Sequence, residues 1–223
     1  STWLSALRSH VEAVRDVLTR DGRLVVHLDD EVPELAMLAL DDLLGRTRRE
    51  STIVWQKKYG PQNDLRGRVD EAHDYLLVYR VSDETSRRPV ESAFWPWAFA
   101  GKSEDGTKEA EKLREAGVIK LKEIPKTSKP AKLIDRLLTA YTDEGDAVLE
   151  CFSDTGFAAA ASAAKNRVPI LLAGGTADEL RYAEAASGPR IVKALEGRRE
   201  LAAIDAGEQE YARVAPRATG EAI

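Results

Sequence analysis

Residues 145 to 161 read Gly-Asp-Ala-Val-Leu-Glu-Cys-Phe-Ser-Asp-Thr-Gly-Phe-Ala-Ala-Ala-Ala. An apolar run, a short polar turn and an alanine-rich stretch predict a buried strand, a tight turn and the opening of a helix. A nucleotide-type cofactor sits at junctions of this kind, where backbone amides and a helix start can face its polar groups. Asp154 occupies the turn at a place where close approach of a ligand favours glycine. The adjacent carboxylates Asp29 and Asp30 could form an acid/base pair, although their place before Pro33 also suits helix capping. His73 could act as an acid or base, or make a structural hydrogen bond at a strand start. His10 and His27 lack ligand spacing, so no metal site is expected. Trp55, Trp95 and Trp97 could stack on bases, with Trp55 also placed as a core residue of a strand.

Charge adds a second candidate surface. The chain of 223 residues carries a net charge of −5, which gives no global attraction to nucleic acid. Between positions 46 and 68, however, seven basic residues (Arg46, Arg48, Arg49, Lys57, Lys58, Arg66 and Arg68) stand against two acids, Glu50 and Asp64. Such a stripe suits phosphate contact, and equally a solvated strand edge protected by its cations. The single cysteine, Cys151, excludes an internal disulfide, and its place in an apolar run predicts an inert buried thiol.

The elements that must position these residues follow from periodicity. Trp3, Leu4, Leu7, Val11, Val14 and Leu18 form one apolar stripe of a helix over 3–18. Strand 24–28 and a helix over 33–44, opened by Pro33 and closed by Gly45, come next. Two β-rich runs, 51–57 and 74–80, read as neighbouring antiparallel strands joined by an open loop. Positions 83–128 read as an insertion with one short helix over 109–116. The alternation resumes with a helix over 132–141, a strand over 147–152, a helix over 156–165 and a strand over 168–172, a βαβ unit. Helices over 177–186 and 189–198 follow, and the segment from Gly207 reads as a fraying end with one short strand. The class is α/β. No apolar run is long enough to span a bilayer, and the N-terminal residues lack the pattern of a signal peptide, so a cytoplasmic protein is expected.

Several stretches carry a family resemblance. DGRLVVHLDDEVPELAMLALDDLLG, IVWQKKYGPQND and HDYLLVY, followed by FWPWAFAGKSEDGTKEAEKL, KPAKLIDRLL and GDAVLECFSDTGF, occur in order over about residues 3 to 200. Together they resemble the DNA adenine methyltransferases of the type III modification-subunit kind, which are permuted amino-methyltransferases. The resemblance implies a Rossmann-like methyltransferase fold whose seven-stranded sheet is mostly parallel, with a terminal antiparallel hairpin. It implies one domain over 1–223, with catalytic-half elements in 1–82, a target-recognition-like insertion in 83–128 and cofactor-half elements in 129–206. It further implies S-adenosylmethionine as cofactor and an adenine flipped from duplex DNA as acceptor. A homodimer and a restriction subunit are the implied partners.

The implied cofactor residues are Lys129 and Pro130 of the Lys-Pro motif, and Glu150, Phe152, Asp154 and Gly156 of a loop of the form acid-x-Phe-x-Gly-x-Gly. In that loop Asp154 replaces the first glycine. Its carboxylate would face that of the methionine moiety, and two such charges about 4 Å apart repel by roughly 4 kcal/mol at an effective dielectric near 20. Ala173, Gly174 and Gly175 stand where the family places a ribose-binding polar side chain. The family's acid-or-amide, Pro-Pro, aromatic motif has no counterpart, because the nine prolines are all isolated. The expectation is therefore a truncated or degenerate copy, inactive as this chain, with no catalytic residue assigned. The alternative is a non-catalytic DNA-binding or subunit-assembly module on the same scaffold.

Overall fold

Strand β3 (His73–Arg80) lies between two strands that both run antiparallel to it, β1 (Arg23–Leu28) and β2 (Arg49–Gln56). The computed structural model describes residues 2–58, 72–88, 92–152, 155–172 and 177–206. These fall into two compact units, Ser1–Lys112 with Lys122–Asp143, and Leu113–Leu121 with Glu144–Ile223.

In the first unit the sheet order is β1-β3-β2-β4, where β4 (Phe94–Trp95) pairs parallel with β2 through Val54↔Phe94 and Trp55↔Trp95. Side chains alternate across the pleat, so β3 serves two cores at once. Leu76 and Val78 pack with Ile53, Trp55, Trp95, Leu133 and Tyr141 on one face. Leu77 and Tyr79 pack with Val11, Leu40 and Leu44 on the other. Helices α1 (Thr2–Val17) and α2 (Pro33–Leu40) supply that second face. The first face takes its helical residues from α3 (Trp97–Ala100) and α5 (Ala131–Tyr141). Between these two lies α4 (Ser103–Glu115).

In the second unit β5 (Ala147–Cys151) and β6 (Val168–Leu172) pair in parallel through the crossover helix α6 (Phe157–Ala164). Ala159, Ala160 and Ala163 of α6 are buried, and small side chains there let neighbouring backbone approach closely. After α7 (Ala177–Tyr182) comes a π-helical turn over Ala183–Ser187, followed by α8 (Gly188–Ala206).

Four expectations need correction. The larger sheet is mixed rather than mostly parallel, because β3 runs antiparallel to both β1 and β2 and only β4 runs parallel to its partner. The segment 83–128 is not wholly an insertion, since Trp95 is drawn into the core and carries its backbone onto the sheet edge as β4. Helix α5, assigned to the cofactor half, belongs to the first unit, where Leu133 and Tyr141 complete the core around Trp55. Helix α2 ends at Leu40, and Asp41–Gly45 widens into a π turn where the Tyr79 hydroxyl donates to Asp41 Oδ1 at 2.6 Å. The expected strand beyond Gly207 lies outside the described residues.

Candidate active site

At one end of the first unit's sheet, β1 and β2 finish and β3 begins. Three basic side chains meet one carboxylate there. Asp74, 3% exposed, receives Lys57 Nζ at 2.7 Å on Oδ1 and lies 2.8 Å from His27 Nε2 through Oδ2. Lys129 Nζ stands 3.8 Å from the same Oδ2 and 5.8 Å from the centroid of the Trp55 ring. Burial alone would push the Asp74 carboxyl up, but the hydrogen bonds from His27 and Lys57 outweigh it and hold the group at about 2. Burial also dominates at His27 and depresses its pKa against the opposing pull of Asp74, so the imidazole is neutral near pH 7.

The Lys129-Pro130 turn is fixed by backbone packing. Pro130 is the N-cap of α5 in extended geometry, with φ −67° and ψ 142°. Gly101 adopts φ +81°, and a Cβ there would lie 2.9 Å from Pro130 Cβ. From α4, Glu109 Oε2 accepts the Ala131 backbone N–H at 3.0 Å, and the Trp55 indole N–H donates to the Gly101 carbonyl at 3.0 Å.

In the second unit two of the described residues of the β5–α6 turn lie in the left-handed region, Phe152 at φ +58° and Gly156 at φ +62°. Gly156 is obligatory there, because a Cβ would lie 2.8 Å from Ser187 Cα. Phe152 holds the same conformation against steric cost, and the residue is 68% exposed. Glu150, buried, accepts the backbone N–H groups of Ala158 at 3.3 Å and Ala159 at 2.7 Å. A side chain from the strand thus caps the first turn of α6. The buried Arg190 guanidinium of α8 donates to the Thr155 carbonyl at 3.3 Å, bracing the turn from below. Burial raises the pKa of the Cys151 thiol, and Glu150 adds to the effect, in keeping with an unreactive thiol. Asp154, Gly174 and Gly175 lie outside the described residues.

Residues 1–184 match the family model for DNA methylases of the N6/N4 type. The chain belongs to this DNA methylase family. No curated protein sequence matches it. Among solved structures it is similar to TTHA0409 of Thermus thermophilus, solved with S-adenosyl-L-methionine, at 19% identity and a TM-score of 0.58 over 88% of this chain and 79% of that one. It is also similar to the cytosine-N4-specific PvuII DNA methyltransferase, at 13% identity and a TM-score of 0.57 over 87% and 77% of the two chains. A third similar structure is the M1.HpyAVI complex with S-adenosylmethionine, at 14% identity and a TM-score of 0.52 over 81% and 80%. At such identities the likeness is one of fold.

The basic stretch of this DNA methylase family member is dispersed. Arg48 grips Asp83 with Nε and Nη2 at 3.2 and 3.0 Å, and Arg49 lies 3.4 Å from Asp41. Lys57 turns inward to Asp74, whereas Arg46 and Lys58 are exposed. Arg66 and Arg68 lie outside the described residues. Asp29 and Asp30 do not cap α2, whose N-cap is Val32 without a side-chain bond; Asp29 Oδ1 instead accepts the Glu31 N–H at 3.3 Å. His73 Nε2 stands 3.2 Å from the Tyr75 hydroxyl, and Trp55 is buried in the core. Among the described residues no cluster of potential metal ligands occurs, and no helix is long and apolar enough to cross a membrane.

Sequence reasoning missed Asp74, the anchoring role of His27, and Arg190. Asp74 had a signal, an acid opening a strand whose following residues are almost all apolar. Arg190 had none, because nothing in its neighbourhood separates a buried arginine from a solvated one.

Proposed function

We propose that this DNA methylase domain binds S-adenosylmethionine and is of the adenine-specific, type III modification kind. The observation that carries the reading is the β5–α6 turn. It combines a Cβ-free residue pressed against neighbouring backbone with an exposed aromatic ring held in a costly conformation. An exposed ring suits the apolar face of an adenosine-type ligand. Phe152 and Gly156 are the proposed contacts in the turn, Glu150 fixes the helix behind it, and Asp154 falls between the two contacts in sequence. Lys129 and Pro130 are the proposed contacts from the Lys-Pro motif. When bound, S-adenosylmethionine supplies the electrophilic methyl group, and the chain's own residues bind and orient it.

The reading includes inactivity of these 223 residues on their own, since the Pro-Pro motif that would hold the acceptor amino group has no counterpart among them. Calorimetry with S-adenosylmethionine and transfer of labelled methyl groups to duplex DNA test both parts. The expected results are measurable binding and no incorporation into adenine. Absence of binding in both the chain and its Asp154→Gly variant refutes the first part, and incorporation refutes the second.

The isolated prolines also favour a second reading, a non-catalytic module that contacts DNA or a partner subunit. Under it, duplex affinity falls steeply with salt and weakens in Arg46→Glu and Lys58→Glu. These two positions leave the Arg48–Asp83 and Lys57–Asp74 pairs intact.

A further inference from the structure

Asp74 has more partners than neutralisation requires. A buried carboxylate costs several kcal/mol unless it is paired and hydrogen-bonded, and one ammonium at hydrogen-bond distance already balances its charge. Lys57 provides it at 2.7 Å. His27 and Lys129 then add a second and a third base from two further segments, the end of β1 and the residue before Pro130. The strands need no such help, because the ladders of β1, β3 and β2 set their register. Lys129 is different. It belongs to the irregular connection between α4 and α5, and its ammonium lies 3.8 Å from the Asp74 carboxylate and 5.8 Å from the centroid of the Trp55 ring.

We infer that Asp74 is a positioning residue, which holds the Lys129 side chain in the orientation its cofactor contact requires. The inference rests on the cofactor role proposed above for Lys129. Asp74 itself touches neither donor nor acceptor and acts through Lys129. Its removal and the removal of Lys129 therefore abolish the same interaction, and their effects are not additive.

The test is a double-mutant cycle on the full chain, with S-adenosylmethionine as the calorimetric probe. Asp74→Asn and Lys129→Met are each expected to weaken binding by about tenfold or more, the scale on which losing one partner of a buried charge pair acts. The double variant is expected to bind no worse than either single one, and Asp74→Glu to recover most of the loss. Additive losses, or wild-type affinity in Asp74→Asn, overturn the inference while leaving the cofactor reading intact.

Asp74→Asn leaves two ammonium groups around a neutral amide and can fail to fold, so a second measurement stands apart from it. The charges facing His27 are Asp74 of β3, Lys57 after β2 and Lys129 before α5. Lys129 lowers the His27 pKa, so Lys129→Met is expected to raise it in an NMR titration of the imidazole, with or without cofactor. An unchanged titration shows that the ammonium is not held in the cluster, and the inference falls. If the wild-type chain binds no S-adenosylmethionine, the proposed function fails and the inference falls with it, whereas binding together with additive losses overturns the inference alone.

Discussion

A Cβ built on Gly106 would lie 2.4 Å from the Ser128 carbonyl oxygen and 2.5 Å from the Lys129 carbonyl carbon. Helix α4 therefore meets the chain entering α5 backbone to backbone, immediately beside the Lys-Pro turn. Alanine at 106 would gain helix propensity of about 1 kcal/mol. The contact is with backbone, which cannot swing aside, so overpacking wins. Gly106→Ala is expected to destabilise the protein by about 1–3 kcal/mol net, read as a lower denaturant midpoint. A stabilised variant would show that α4 does not sit on that turn.

The Asp74 cluster predicts two steps of acid destabilisation. His27 has a folded-state pKa below its ordinary 6.5, so the unfolded chain takes up a proton first and stability falls as pH drops below that value. Asp74 is held at about 2 against an ordinary 3.8, so its contribution is complete above about pH 5 and is lost between about 4 and 2. The second step is worth about 2 kcal/mol, from a shift of nearly two pH units at a buried group. Denaturant midpoints measured from pH 8 to 2 should show both falls, and Lys129→Met, which raises the folded-state pKa of His27 toward its ordinary value, should make the first fall smaller.

Much of the architecture was legible because it follows from short-range pattern. The run Asp74–Arg80, rich in β-branched and aromatic residues, forecast a strand, and its partnership with the Ile53–Trp55 run followed from the loop between them. The two-faced burial of β3 was not foreseen, since an apolar run of that length does not say what covers each side. The candidate site was less legible for the same reason. Lys57 and Lys58 are neighbours in a basic stretch, and only the position of Asp74, 17 residues on, decides which of them turns inward. Glu150 fitted a family pattern for cofactor contact, and its hydrogen bonds to α6 become visible only once strand and helix are folded against each other.

Glu150 offers a direct test of that capping role. Its carboxylate accepts two amide protons from the first turn of α6, where a negative charge also meets the positive end of the helix dipole. Glu150→Gln keeps the shape and loses the charge, while Glu150→Ala leaves both amides without this acceptor. Losses of about 1 kcal/mol for glutamine and about 2–3 kcal/mol for alanine are expected in denaturant unfolding. No loss for glutamine beside a full loss for alanine would mean that charge contributes nothing and that the side chain acts by packing alone.

Phe152 allows stability and ligand binding to be separated. A phenylalanine at φ +58° carries roughly 1–2 kcal/mol of local strain, and its ring is too exposed to recover that cost by burial. Glycine removes the strain but adds entropy to the unfolded chain, which offsets about 0.5–1 kcal/mol. Phe152→Gly is therefore expected to unfold at the wild-type denaturant concentration or slightly above it. If the ring is retained for an adenosine-type ligand, the same variant should lose affinity for S-adenosylmethionine by about tenfold, a loss on the scale of an aromatic stacking contact. Parallel measurements of stability and binding check the pair. A variant that unfolds markedly earlier yet binds as before would identify the ring as a packing element of the turn and remove it from the proposed cofactor contacts.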